Sequence, residues 1–74
     1  MKYLFSPDRI KFAREKRGLT TQEVAARMGK MRQQYIAWEN GDKIPGAAHL
    51  AAIASALEMP PSFFFVDDFN VAPQ

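Results

Sequence analysis

The stretch from Val24 to Gly41 sets what this chain can fold into. It reads as a short helix, a tight turn centred on Gly29, and a second helix stopped by Gly41. The second helix has two unlike faces. Met31, Tyr35 and Trp38 recur at i, i+4 and i+7, so they share one side and are expected to point into a core. Arg32, Gln33, Ile36, Ala37 and Asn40 fall on another side.

The rest of the chain must supply that core within 74 residues, which is room for one domain. A core this small is marginal, and oligomerisation is a common remedy. There is no cysteine, which excludes disulfide scaffolds and cysteine-ligated metal sites. No window is apolar enough to span a membrane, and the start carries an apolar run of only three residues, too short for a secretory signal. A cytoplasmic location is expected. The net charge of +2 is unevenly placed: residues up to Lys43 carry +5, and those from Ile44 carry −3. A basic first half with an acidic end suits a protein with one nucleic-acid-facing side.

Helical punctuation continues on both sides of the central stretch. Residues 1–5 form an apolar arm expected to pack back onto the domain. Ser6-Pro7-Asp8 is a helix start, with Ser6 as N-cap and Pro7 at the first helical position. That helix runs to about Arg17, with Ile10, Ala13 and the Arg17 stem inward and Gly18 following as the C-terminal stop. Phe12 lies off the stripe, either exposed or covered by one end of the chain. Thr20-Thr21-Gln22-Glu23 is a capping box, with Leu19 and Val24 placed as a hydrophobic staple. Met31 stands at the N-cap of the helix after Gly29, where it caps poorly. Leu50, Ile53, Ala54 and Leu57 make an i, i+3, i+4, i+7 stripe on a fourth helix. Pro61 to Val66 reads as a short helical turn or a strand, and residues 67–74 as a flexible C-terminal tail. Strand-type alternation is absent. The expected fold is all-α, a compact bundle of four to five short helices over residues 6–66.

The outward face of the Gly29–Gly41 helix has chemistry that fits base edges. Arginine donates two parallel bonds to guanine O6 and N7, and glutamine pairs with adenine N7 and N6. Arg32 and Gln33 stand in the first turn, the part of a reading helix that meets the bases. Ile36 and Ala37 could touch a thymine methyl.

Over about residues 9–65 the chain resembles the Cro/CI-type helix-turn-helix family, also called lambda-repressor-like or XRE. The residues that carry the resemblance are Arg14, Gly18-Leu19-Thr20, Glu23-Val24-Ala25, Met28-Gly29, Arg32, Trp38-Glu39-Asn40-Gly41, Pro45, Leu50 and Ile53 to Leu57. The resemblance implies DNA base contacts by Arg32, Gln33 and Ala37, to which the apolar Ile36 adds the expected thymine-methyl contact. It implies phosphate contacts by Thr21, Lys30, Asn40 and Lys43, and an ion pair of Arg14 with Glu39 tying the first helix to the end of the third. Three residues depart from the family pattern. Thr21 stands where a glutamine is common, Ile36 where a small or polar residue is usual, and Met31 replaces a capping serine or threonine.

Other chemistry has little behind it. His49 is the sole histidine, lacks a ligand at metal spacing, and reads as a surface residue of the fourth helix. The serines lack a strand elbow or a glycine-rich phosphate loop. No enzyme activity, metal or cofactor is expected. Lys2, Lys11, Lys16, Arg17 and Arg27 read as general field charges. Tyr3, Phe5, Phe12, Phe63, Phe64, Phe65 and Phe69 exceed the needs of so small a core. Some are expected to seal it, with Phe63, Phe64 and Phe65 as a dimer interface. The sequence thus predicts a DNA-binding, repressor-like regulator acting as a homodimer on double-stranded DNA. The alternative is a protein-interaction module, such as an antitoxin-type helix-turn-helix protein that binds a partner protein.

Overall fold

The computed structural model describes residues 3–67. Its elements in chain order are β1 (Tyr3–Phe5), α1 (Pro7–Lys16), α2 (Thr21–Met28), α3 (Arg32–Glu39), α4 (Ala47–Leu57), a 3-10 turn (Pro61–Phe64) and β2 (Phe65–Asp67). Four helices form the all-α body. The two strands, from opposite ends of the chain, add a small antiparallel ribbon with Tyr3 opposite Asp67, Leu4 opposite Val66 and Phe5 opposite Phe65. The sequence reading left a strand open for Pro61 to Val66 and expected none in the N-terminal arm. Three-residue strands are too short to show alternation, and what pairs them is the proximity of the two chain ends, which no local pattern encodes. The Asp67 end of the expected tail belongs to β2, while residues 68–74 lie outside the described residues.

The core gathers one face from each helix. Ile10 and Ala13 come from α1, Val24 and Ala25 from α2, Tyr35 and Trp38 from α3, and Ile53, Ala54, Ala56 and Leu57 from α4. Phe64 closes it from below and is fully buried. Burying an aromatic of this size stabilises by roughly 1.5–3 kcal/mol. Of Phe63, Phe64 and Phe65, the rings expected at a dimer interface, Phe64 sits in the protomer's own core and the other two are half-buried. Phe64 has no surface left to offer. Phe65 meets Phe5 edge to face at 6.1 Å. Half-buried Phe63 lies against Phe12 and under the Arg9 guanidinium. Arg9 also donates to the Phe63 carbonyl.

Met31 does not follow its stripe. It is 71% exposed, although Tyr35 and Trp38 on the same heptad positions are buried. Its backbone is extended (φ −74°, ψ 145°) because it is the N-cap and not a helical residue. The 3.6-residue period therefore does not carry back to it.

Helix ends account for much of the remaining order. At the end of α3, the Asp42 N–H reaches the Ala37 carbonyl and the Gly41 N–H the Trp38 carbonyl, the paired bonds of a Schellman stop. Gly41 adopts φ +82°, and a Cβ there would lie 3.3 Å from Pro7 Cγ. The residue is therefore small both to turn the chain and to let the start of α1 approach the end of α3. α4 ends in the same way on a non-glycine, Glu58, at φ 56°.

Arginines complete the α4 terminus. Arg17 donates from Nε to the Leu57 carbonyl at 2.9 Å and from Nη2 to the Glu58 carbonyl at 2.8 Å. Arg27 donates to the Ala56 carbonyl at 3.2 Å. Ala54 and Ser55 carbonyls accept the Met59 and Glu58 N–H groups. Every carbonyl from Ala54 to Glu58 thus has a partner. Arg17 and Arg27 are therefore capping groups and not merely field charges, and the Arg17 side chain works at the surface instead of entering the core. Arg17→Ala is expected to cost about 1–2 kcal/mol, since hydrogen bonds from charged donors are the stronger kind. Urea unfolding of Arg17→Ala beside Lys16→Ala measures this, and equal midpoints would show the cap to be idle.

Candidate nucleic-acid interface

The candidate surface is the α2–turn–α3 unit, and its order begins at α2. The Thr20 hydroxyl accepts from the Glu23 N–H at 3.1 Å and the Glu23 carboxylate accepts from the Thr20 N–H at 2.8 Å. This reciprocal box satisfies two donors that a bare helix end leaves open. The bonds from Thr20 hold the exposed Glu23 carboxyl below its ordinary range. At the far end Gly29 takes a left-handed conformation (φ +67°), which turns the chain into α3. Ala25, fully buried, keeps the contact between α2 and α3 close.

The inner face of α3 fixes its pose. Tyr35 and Trp38 are buried, and the Trp38 ring lies 4.8 Å from the half-buried His49 ring on α4. At the C-terminal end, Arg14 of α1 makes a two-pronged contact with Glu39: Nε to Oε2 at 2.9 Å and Nη2 to Oε1 at 3.0 Å. Its third arm, Nη1, donates to the Leu19 carbonyl at 2.9 Å. The pair thus joins α1, the α1–α2 loop and α3. Both side chains are largely covered, at 14% and 8% exposure. Burial alone would raise the Glu39 carboxyl, but the bonds from Arg14, the nearby Tyr35 hydroxyl and the charges of Arg14 and Lys11 outweigh it and hold it below the usual carboxylate value. Hydrogen bonding to Glu39 in turn raises Arg14 further. The Tyr35 hydroxyl is buried beside this pair without a hydrogen bond of full geometry. Burial first, and the Glu39 carboxylate second, push its pKa up.

The outer face is what the anchoring presents. Arg32, Gln33 and also Gln34 are exposed in the first turn of α3, while Ile36 and Ala37 are half-buried further along. Asn40 and Lys43 are exposed after the helix, and Lys30 before it. The hydroxyl of Thr21, expected to meet phosphate, accepts from Arg32 Nε at 2.9 Å and so ties the start of α2 to the first turn of α3. That bond occupies Nε of the exposed guanidinium, whose Nη1 and Nη2 carry the remaining donors. Two large apolar side chains flank the polar face uncovered: Met31 at 71% and Ile44 at 78% exposure. Sequence reasoning did not single out Gln34 or Ile44. Gln34 follows Gln33 in the same exposed turn, and Ile44 stands alone in a loop with no periodicity to flag it.

Among the described residues no cluster of three or more His, Cys, Asp or Glu could hold a metal ion. Nor is any helix there long and apolar enough to cross a membrane.

Comparison with known proteins places this geometry. The helix-turn-helix family HTH_3 matches residues 10–64. Among solved structures, the chain is similar to the restriction-modification controller protein C.AhdI from Aeromonas hydrophila, with a TM-score of 0.76 and 24% identity over 80% of this chain and 89% of that one. It is similar to the DNA-binding domain (1–76) of the P22 C2 repressor, with a TM-score of 0.77 and 22% identity over 86% of this chain and 84% of that one. It is also similar to an HTH_3 family transcriptional regulator from Vibrio cholerae, with a TM-score of 0.73 and 33% identity. That match covers 78% of this chain but only 33% of the Vibrio protein. No curated protein matches the sequence.

Proposed function

The chain belongs to the HTH_3 helix-turn-helix family, and from that premise we propose that it is a DNA-binding transcriptional regulator of repressor type. α3 enters the major groove as the reading helix. Arg32 and Gln33 meet base edges, and Ile36 and Ala37 meet thymine methyls. Lys30, Asn40 and Lys43 hold phosphates and set the register without carrying sequence information. Thr21 contributes by orienting Arg32, alongside any contact of its own with phosphate. Two copies act on a near-palindromic site, since a symmetric pair doubles the contacts that one short helix can make. Occupancy then blocks or recruits polymerase.

The observation that carries this reading is the Thr21–Arg32 bond. It holds an exposed guanidinium at the first turn of a helix anchored from behind. A purely solvated face needs no such brace.

Selection of bound fragments from randomised double-stranded DNA tests the proposal. A recovered site with two inverted half-sites is the expected result. Failure to enrich any sequence, together with co-purification of a partner protein, would favour the protein-interaction reading instead. Binding is also expected to fall steeply with salt, as phosphate contacts release counterions.

A further inference from the structure

The ribbon of β1 and β2 gives β1 an outer edge, whose hydrogen-bonding phase can be read. The Ser6 N–H donates to the Phe64 carbonyl at 2.8 Å. The register next pairs Phe5 with Phe65, then Leu4 with Val66. Hydrogen-bonded and non-hydrogen-bonded pairs alternate along an antiparallel ladder. Because Ser6 bonds to Phe64, the Phe5 groups point away from β2 and those of Leu4 point towards it. The N–H and C=O groups of Tyr3 and Phe5 therefore line the outer edge of β1. Among the described residues no other segment takes them up.

Sheet edges are usually blunted by proline, charge or a bulge. Tyr3–Phe5 has no proline and no charge, and its pairing with β2 is regular. Phe5 faces the core, so Leu4 faces outward; it is 37% exposed, beside half-buried Val66.

We infer that this chain pairs with a second copy of itself through β1, edge to edge and antiparallel, about a two-fold axis at Leu4. A second copy fits this edge in one register. Tyr3 opposite Phe5 of the second copy, and Phe5 opposite its Tyr3, uses every outward group on both strands. The same register sets Leu4 against Leu4 of the second copy as a close, non-hydrogen-bonded pair. Val66 and Leu4 of each protomer then form one aliphatic row of four across a four-stranded sheet. The strand is uncharged, so two copies do not repel each other along it. This inference supplies the surface for the two-copy part of the proposed function, and it holds or fails without DNA.

The sequence has no cysteine, so Leu4→Cys introduces a single thiol. Paired Cα atoms at such a position lie about 4.5 Å apart, within the disulfide range of roughly 4.4–6.8 Å. Mild oxidation of the full chain is expected to cross-link Leu4→Cys into dimers much faster than Ser55→Cys, at an exposed position on α4. Equal rates would overturn the inference. In the second arm, Leu4→Lys sets two like charges face to face. Sedimentation should then show a dimer for the unmodified chain and a monomer for Leu4→Lys, with the same helical circular dichroism. A monomeric unmodified chain at its highest soluble concentration would also overturn it. If DNA selection returns a palindrome while Leu4→Cys does not cross-link, the DNA reading stands and this surface is wrong.

Discussion

Glu39→Ala is expected to cost about 3 kcal/mol of folding stability, near the lower end of what breaking a buried ion pair removes. The reason is what remains behind. Arg14 would keep its charge in a largely covered position and lose two of its three bonded contacts. A chain of 74 residues has only roughly 4–11 kcal/mol of stability in total. The variant is therefore expected to melt far earlier, and urea unfolding followed by circular dichroism reads this directly. Replacing both partners by apolar residues of similar volume should cost much less, because no charge is stranded. Tyr35→Phe should be nearly neutral, since the hydroxyl it removes has no bonded partner of full geometry to lose. If Glu39→Ala and the double replacement unfold alike, the pair is not the anchor described.

The same pair gives an acid dependence with a definite sign. Glu39 is held below the usual carboxylate value of 4.5 in the folded protein. A depressed carboxyl contributes stability that is present above its unfolded pKa and is lost as pH falls through the folded one. Stability should therefore be level from neutral pH to about 5 and decline below about 4.3, the unfolded value. The Glu39→Gln variant should show a shallower decline over that window, and an unchanged slope would assign the acid loss to other carboxyls such as Glu23.

Arg32→Ala is expected to weaken binding to the selected site by about 10–100-fold, the range set by one lost bidentate base contact of roughly 1–3 kcal/mol. Binding to unrelated duplex should change far less, because phosphate contacts dominate there. Competition at fixed salt separates the two. Equal losses on both DNAs would make Arg32 a phosphate contact. Thr21→Val tests the brace. It removes the hydroxyl that Arg32 Nε bonds and leaves the guanidinium in place, so it should lower specific affinity by less than Arg32→Ala and leave non-specific affinity unchanged. A variant with equal loss on both DNAs would mean that Thr21 acts on phosphate alone.

Much of the body was legible in the residues because its signals are local. The capping box at Thr20 and Glu23, the stops at Gly29 and Gly41, and the inward stripes of α1 and α4 each depend on neighbours within one or two helical turns. The outward placement of Arg32 and Gln33 followed from the same periodicity. Met31 failed for a local reason too: it sits one residue before the helix whose period was used to place it.

What the sequence could not rank was which long side chains would find distant backbone. Arg17 and Arg27 look like ordinary surface charges until α4 is brought beside them, when its last carbonyls become their partners. The bond between Thr21 and Arg32 likewise appears only once α3 is packed beside α2. At the aromatic end, only the packed structure shows that Phe64 closes the core and Phe65 meets Phe5. The sequence by itself determined four helices and the two faces of α3, because helix periodicity and the start and stop signals are properties of neighbouring residues. Only the tertiary structure decided the ribbon between the chain ends, the arginine caps on α4 and the brace behind Arg32. Each of these joins groups far apart in sequence, and their meeting depends on how the helices pack.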